Sequence, residues 1–153
     1  MNLWQRFEIR NRPSFPNQGI SFRYEAGIDP ALRELYIRFA KWLRKTYVFP
    51  VHVRVSVLNR ERVRLKNGAD AYGSFRWYPR RPPNIRIPSK IEPHLYAQFS
   101  MEELYEQVLS SLVHELTHYY QWYLDLEQSN AVSERQANHY RYRIIHRFHK
   151  ETA

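Results

Sequence analysis

At 153 residues the chain is long enough to bury the core of one domain, and its 43% hydrophobic and 16% aromatic content excludes a disordered chain despite a mean hydropathy of −0.70. It has no cysteine, which excludes disulfides, thiolate metal sites and a cysteine nucleophile and fits a cytoplasmic protein. The formal charge of +9, from 24 basic and 15 acidic side chains, favours acidic partners or nucleic acid through its long-range field alone.

Residues 1–28 mix Arg, Asn, Pro and Phe without a sustained period and read as an irregular N-terminal arm, packed by Trp4, Phe7, Phe15 and Phe22. The first residues, Met1-Asn2-Leu3-Trp4-Gln5-Arg6, lack the apolar run of a secretion signal, and no stretch reaches the length of a membrane span. Neither a leader nor a membrane partner is therefore expected. Asp29-Pro30 then opens a helix, with Asp as N-cap and Pro at its first position. Leu32, Leu35, Tyr36, Phe39, Trp42 and Leu43 follow at helical spacing, and the helix should end near Tyr47 before Pro50.

The period next switches to two. Val51, Val53, Val55 and Val57 alternate with His52, Arg54 and Ser56 as a half-buried strand, and Arg60, Arg62, Arg64 and Lys66 alternate with Glu61, Val63 and Leu65 as a second. Asn67-Gly68 marks a turn, residues 72–77 a third strand, and residues 78–83 a loop. Residues 84–87, bracketed by Pro83 and Pro88, read as a short edge strand. Two helices follow, over about 100–124 and 131–149 by their apolar periodicity. Hairpin-length connections predict an α+β domain spanning 1–153: an N-terminal helix, a three- to four-stranded mostly antiparallel sheet, then two helices packed on one face.

The first of those helices carries His114-Glu115-Leu116-Thr117-His118, an H-E-x-x-H pattern. Histidines four apart stand one turn apart on one face, so both imidazoles can reach one metal ion, and the glutamate is placed to act on its water. Ser100 and Glu103 form a capping box, and Leu104, Val108, Leu112, Leu116 and Tyr119 make an apolar face nearly opposite the histidines. Ser110, Ser111, Thr117 and Gln121 lie on the histidine side, where small polar groups leave room for a cleft. Surface histidines that bind nothing are the competing reading. Zinc is the expected ion, and it needs a third protein ligand.

The last helix offers one. Ala137, Tyr140, Ile144 and Phe148 form its apolar stripe; Glu134 borders that stripe, while His139 and His146 point away from it. In an antiparallel hairpin turning through 125–130, His118 lies about 9 Å back from the turn and Glu134 roughly 5–6 Å beyond it, close enough in level to share a metal. Asn138, one turn later, is placed to hold a ligand imidazole. A carboxylate favoured only by the helix dipole is the duller alternative for Glu134.

His114-Glu115-x-x-His118, followed by a helix bearing Ser133-Glu134-Arg135-Gln136-Ala137-Asn138, resembles the gluzincin zinc metallopeptidases. The small size is similar to minigluzincin and ImmA/IrrE-like proteins, and the approach through Pro83-Asn84-Ile85-Arg86-Ile87 is similar to SprT-like proteases, which take a histidine as third ligand. The resemblance implies a minimal zincin-like fold, a Zn2+ cofactor held by His114, His118 and Glu134, and a protein or peptide substrate hydrolysed by a zinc-activated water with Glu115 as general base. It places an extended substrate on the strand at 84–87, and leaves the oxyanion donor open among Tyr78, Tyr142 and an arginine. A second reading rests on charge. Arg54, Arg60, Arg62, Arg64 and Lys66 would project from one face of a basic hairpin and contact nucleic acid, with zinc then structural or residual, or the scaffold catalytically inactive.

Overall fold

The structure, a computed structural model, describes residues 3–5 and 18–153. Helix α1 (Pro30–Thr46) begins where the Asp29 side chain accepts from the Ala31 N–H at 2.9 Å, and ends at Tyr47, which is already extended. Ahead of it, strand β1 (Ile20–Tyr24) falls inside the segment expected to be irregular. Its Ile20, Phe22 and Tyr24 do alternate, but it is only five residues long and its partner lies beyond α1, so no hairpin signal announces it. At the N-terminus a 3-10 turn at Leu3–Gln5 is anchored as well: Trp4 is fully buried and its indole N–H donates to Thr117 Oγ1 at 3.1 Å. Trp4 thus packs behind the His-bearing helix. Phe7 and Phe15, also expected to pack the arm, lie outside the described residues.

Strands β2 (Val53–Leu58), β5 (Ser74–Arg76) and β6 (Asn84–Pro88) complete a four-stranded sheet in the order β1-β2-β6-β5. β1 with β2 and β2 with β6 are parallel, and β5 with β6 alone is antiparallel. The sheet is therefore mixed, not mostly antiparallel, because α1 supplies the long crossover that parallel neighbours require. The strand expected over 60–66 shrinks to β3 (Val63–Arg64), which pairs with β4 (Asp70–Ala71) in a separate ribbon around the Asn67-Gly68 turn. Gly68 takes the positive φ, 86°, that this turn demands. The expected basic hairpin face does not form as such. Arg54 lies on β2 and Arg64 on the ribbon, Arg60 and Arg62 lie in neither strand, and Arg62 pairs with Glu92.

β6 is also not an edge. Pro83 and Pro88 bracket the strand at its ends and leave Ile85, Arg86 and Ile87 free to pair with β2 on one side; Ile85 and Arg86 also pair with β5 on the other. The edges of this sheet are β1 and β5.

Register aligns Phe22, Val55, Ile85 and Phe75 across the sheet, followed by Tyr24, Val57 and Ile87. This face joins one core with Leu32, Tyr36 and Phe39 of α1 and with Leu112, Leu116 and Tyr119 of α2 (Met101–Tyr123), so helices cover it. Tyr119 pins α2 to the start of β2: its hydroxyl donates to the Val51 carbonyl and accepts from the Val51 N–H at 3.0 Å. Ser100 and Glu103 form the expected capping box at the start of α2. Asp125, at a left-handed φ of 54°, turns the chain into α3 (Asn130–Thr152), which lies against α2. Among the described residues no helix is long and apolar enough to cross a membrane.

Candidate metal centre

The core face of α2 fixes which way its other face looks. With Leu112, Leu116 and Tyr119 fully buried, His114 and His118 turn toward α3 and an open cleft of about 1430 Å³. The tight turn at Asp125 brings Glu134, in the first turns of α3, level with both. Its carboxylate forks: Oε2 lies 2.9 Å from His114 Nε2 and Oε1 lies 3.0 Å from His118 Nε2. The two Nε2 atoms are 3.3 Å apart. His139 is exposed and bonds Arg143, and His146 is exposed; neither belongs to this cluster.

Each imidazole has a partner at its outer nitrogen. His118 Nδ1 stands 2.7 Å from Gln121 Oε1, which commits its proton to that side. Gln121 is itself locked, donating to the Ser133 carbonyl at 3.0 Å and Gln136 Oε1 at 2.8 Å and accepting from Ser133 Oγ at 2.6 Å. The lone pair of His118 Nε2 therefore faces a carboxylate oxygen and a second imidazole nitrogen, an arrangement that is repulsive until a cation or proton lies between them. His114 Nδ1 has two neighbours at 3.1 Å, the acceptor Asn138 Oδ1 and the donor Arg141 Nη2. The ring is thus served in either tautomer: Asn138 accepts when Nε2 is a lone pair, and Arg141 donates when Nε2 carries the proton. Burial, with the nearby His118 and Arg141, lowers the His114 pKa against the opposing pull of Glu134, which keeps the ring neutral near pH 7.

These residues fit a zinc ion on their own chemistry. One ligand atom from each of His114, His118 and Glu134 lies within 4.8 Å of the others. Tetrahedral zinc with bonds of about 2.0–2.1 Å to nitrogen separates two such ligands by roughly 3.3–3.4 Å, which matches the two Nε2 atoms.

Glu115 points into the same cleft and is only 8% exposed. Burial raises its pKa to about 8, the Glu134 charge adds to the rise, and Arg141 opposes it. The chain passes close by: a Cβ placed on Gly73 would lie 3.0 Å from Glu115 Cγ. The cleft is walled on one side by β5 and the residues just after it, including Trp77 and Tyr78, and Lys66 stands on its rim.

Of the expected oxyanion candidates, Tyr78 lines the cleft, whereas Tyr142 is 52% exposed and bonds Gln107 instead; the arginines the cleft offers, left unspecified by the sequence, are Arg76 and Arg141. Sequence reasoning placed Gln121 on the histidine side but missed its hold on His118. The signal was its position three residues after His118 on the same helix face. Gly73 was missed altogether, since its importance lies in a close approach that only the fold creates. Compared with protein-family models, with curated proteins and with solved structures, the chain matches none.

Proposed function

We propose that the protein is a zinc-dependent peptidase of minimal zincin type, in which His114, His118 and Glu134 hold the metal and Glu115 is the general base. One observation carries this reading: three side chains that could ligate a metal converge on a point beside a buried glutamate, in a cleft bordered by β5, an edge strand among the described residues. Bound zinc would supply Lewis acidity, polarising a carbonyl and acidifying a water. Glu115 accepts the water's proton and returns it to the departing amine, a task suited to a carboxylate whose pKa is raised toward neutrality. Among the described residues the outer edge of β5 is unpaired, and an extended peptide would add there, the role that residues 84–87 lose by lying inside the sheet. Tyr78 and Arg141 both line the cleft and are the oxyanion donors it offers; Arg141 also contacts His114 at Nδ1, the nitrogen away from the metal.

The test is metal content followed by cleavage. Purified protein should carry one zinc per chain by mass spectrometry, and Glu115→Gln should retain it while peptide-library turnover falls on the order of 100- to 10,000-fold. Unchanged proteolysis by Glu115→Gln removes the assigned base. Bound zinc with no peptide cleaved would favour an inactive scaffold.

A further inference from the structure

The face of the sheet opposite the helices has a pattern of its own. Register places Ser21, Arg54, Asn84 and Arg76 in one row across the four strands, and Arg23, Ser56, Arg86 and Ser74 in the next. Arginine and small polar residues alternate in both directions, so no two arginines are direct cross-strand neighbours. Diagonal positions are about 7–8 Å apart, close to two nucleotide rises of about 3.4 Å along one strand. Arg23 and Arg54 are exposed, and Arg76 and Arg86 are half-buried. Among the described residues none of the four is paired with a carboxylate.

The flanking segments add charge to the same place. Tyr78 accepts a hydrogen bond at 3.2 Å from Asn84 Nδ2, between Arg54 and Arg76, and the Arg81 guanidinium lies 3.8 Å over its ring. Partial burial pushes the Tyr78 pKa up, but the Asn84 bond and the charges of Arg81 and Arg76 outweigh it and lower the pKa, a sign of the local positive field. Arg76 also donates to the Arg64 carbonyl at 3.4 Å, which ties the ribbon to this face. Residues 51–90 as a whole hold ten of the 24 basic side chains and two of the 15 acidic ones, a net charge of +8 against +9 for the entire chain.

We propose that this outer sheet face binds nucleic acid through its phosphodiester backbone, with Arg23, Arg54, Arg76, Arg81 and Arg86 as the phosphate contacts. Guanidinium groups match phosphate oxygens in a fork of two parallel hydrogen bonds, which favours arginine over lysine for such a surface. Between the arginines stand serines and an asparagine, with no large apolar side chain to enter a bilayer. The surface adjoins the cleft through Arg76 and Tyr78, which also line it, but shares none of His114, His118 and Glu134, so its binding is tested apart from the metal. It also replaces the basic hairpin expected from sequence: Arg54 is retained, while Arg62 is committed to Glu92.

The experiment is fluorescence anisotropy with labelled mixed-sequence oligonucleotides, single-stranded and duplex, titrated with the full chain. Four or so neutralised phosphates predict an affinity that falls on the order of 100-fold between about 50 and 200 mM salt. Arg54→Gln and Arg76→Gln should each reduce the slope of log affinity against log salt by about 1, and Arg54→Lys should retain most of it. Arg143→Gln on α3 should leave affinity and slope unchanged, and circular dichroism checks that every variant is folded. Binding of either strand form with these slopes supports the assignment. No binding at low salt, or slopes unmoved by the sheet variants, overturns it. So does preferential binding of vesicles of phosphatidylserine and phosphatidylcholine that is lost in the same variants.

Discussion

Between residues 100 and 130 the chain has six carboxylates and no Lys or Arg, whereas residues 51–90 have ten Lys or Arg and two carboxylates. Helix α2 with its following turn and the sheet segment therefore carry opposite charge, and the α2–α3 hairpin and the sheet deploy their charged groups over different distances. In the hairpin, Glu134 and two imidazoles meet within about one hydrogen-bond length, each imidazole held at its far nitrogen by a second side chain. On the sheet, arginines alternate with small polar residues, and among the described residues none of Arg23, Arg54, Arg76 and Arg86 is paired with a carboxylate. Converging donors at van der Waals range select a small cation, while a spread of like charges attracts an extended polyanion and is screened by salt. Zinc affinity should accordingly change little over a salt range in which polyanion affinity collapses.

The largest expected effect breaks the hairpin's side of that contrast. Glu134→Ala removes one of three donors and should abolish stoichiometric zinc, a greater loss than the 10- to 100-fold typical of a supporting residue. Equal zinc content in the wild type and this variant would mean that the histidines bind metal without α3.

Next in size is a pH effect in metal-free protein. Burial, and then the Glu134 charge, disfavour the ionised form of Glu115 and push its folded-state pKa up from 4.5 to about 8. Between those values the folded state binds more protons than the unfolded state, so stability falls as pH rises through that window. By pH 7 the loss is roughly 3 kcal/mol at about 1.4 kcal/mol per pH unit. Urea unfolding in excess chelator should show that slope in the wild type and lack it in Glu115→Gln. Parallel profiles would place Glu115 in a wetter site than its 8% exposure implies.

These two regions were also unequally legible. The triad could be read from sequence because every constraint on it is local: a four-residue spacing on α2, the position of Glu134 at the border of the α3 stripe, and a short turn. The sheet could not, since strand order depends on partners far apart in the chain. β1 pairs with β2 across seventeen residues of α1, and the hairpin-length spacing around Asn67-Gly68 belongs to a two-residue ribbon outside the main sheet. Proline on either side of 84–87 suggested an edge, yet β6 pairs on both sides. Alternation named the outward positions, Arg54 among them, but only register shows that Arg23, Arg76 and Arg86 share their face.

A smaller effect separates the two supporting side chains. Gln121 is 7% exposed and fixed by three hydrogen bonds besides that to His118, so Gln121→Ala leaves the His118 N–H without an acceptor and should weaken zinc 10- to 100-fold. Asn138 is exposed, and water can take its place at His114, so Asn138→Ala should cost less. Competition with a chromophoric chelator ranks the two; a larger loss at Asn138 would reverse the order of support.

The smallest effect lies where the regions touch. A Cβ on Gly73 would come within 3.0 Å of Glu115 Cγ, 3.1 Å of Glu115 Oε1 and 3.3 Å of Ile87 Cδ1. Ile87 is fully buried in the sheet, so the glutamate tip must give, by a few tenths of an ångström. Gly73→Ala should cost about 1 kcal/mol, the low end for overpacking. No triad atom is among the three nearest to the new methyl, so zinc content should hold. A displacement of about 1 Å can cost a catalytic group on the order of 100-fold, so a shift of a few tenths predicts a fall in kcat of roughly tenfold with KM little changed. Zinc lost in step with activity would show that the strand braces the whole helix rather than the base alone. Full activity would show that Glu115 has slack to yield, and that the sheet's hold on the hairpin runs through Tyr119 and the core instead.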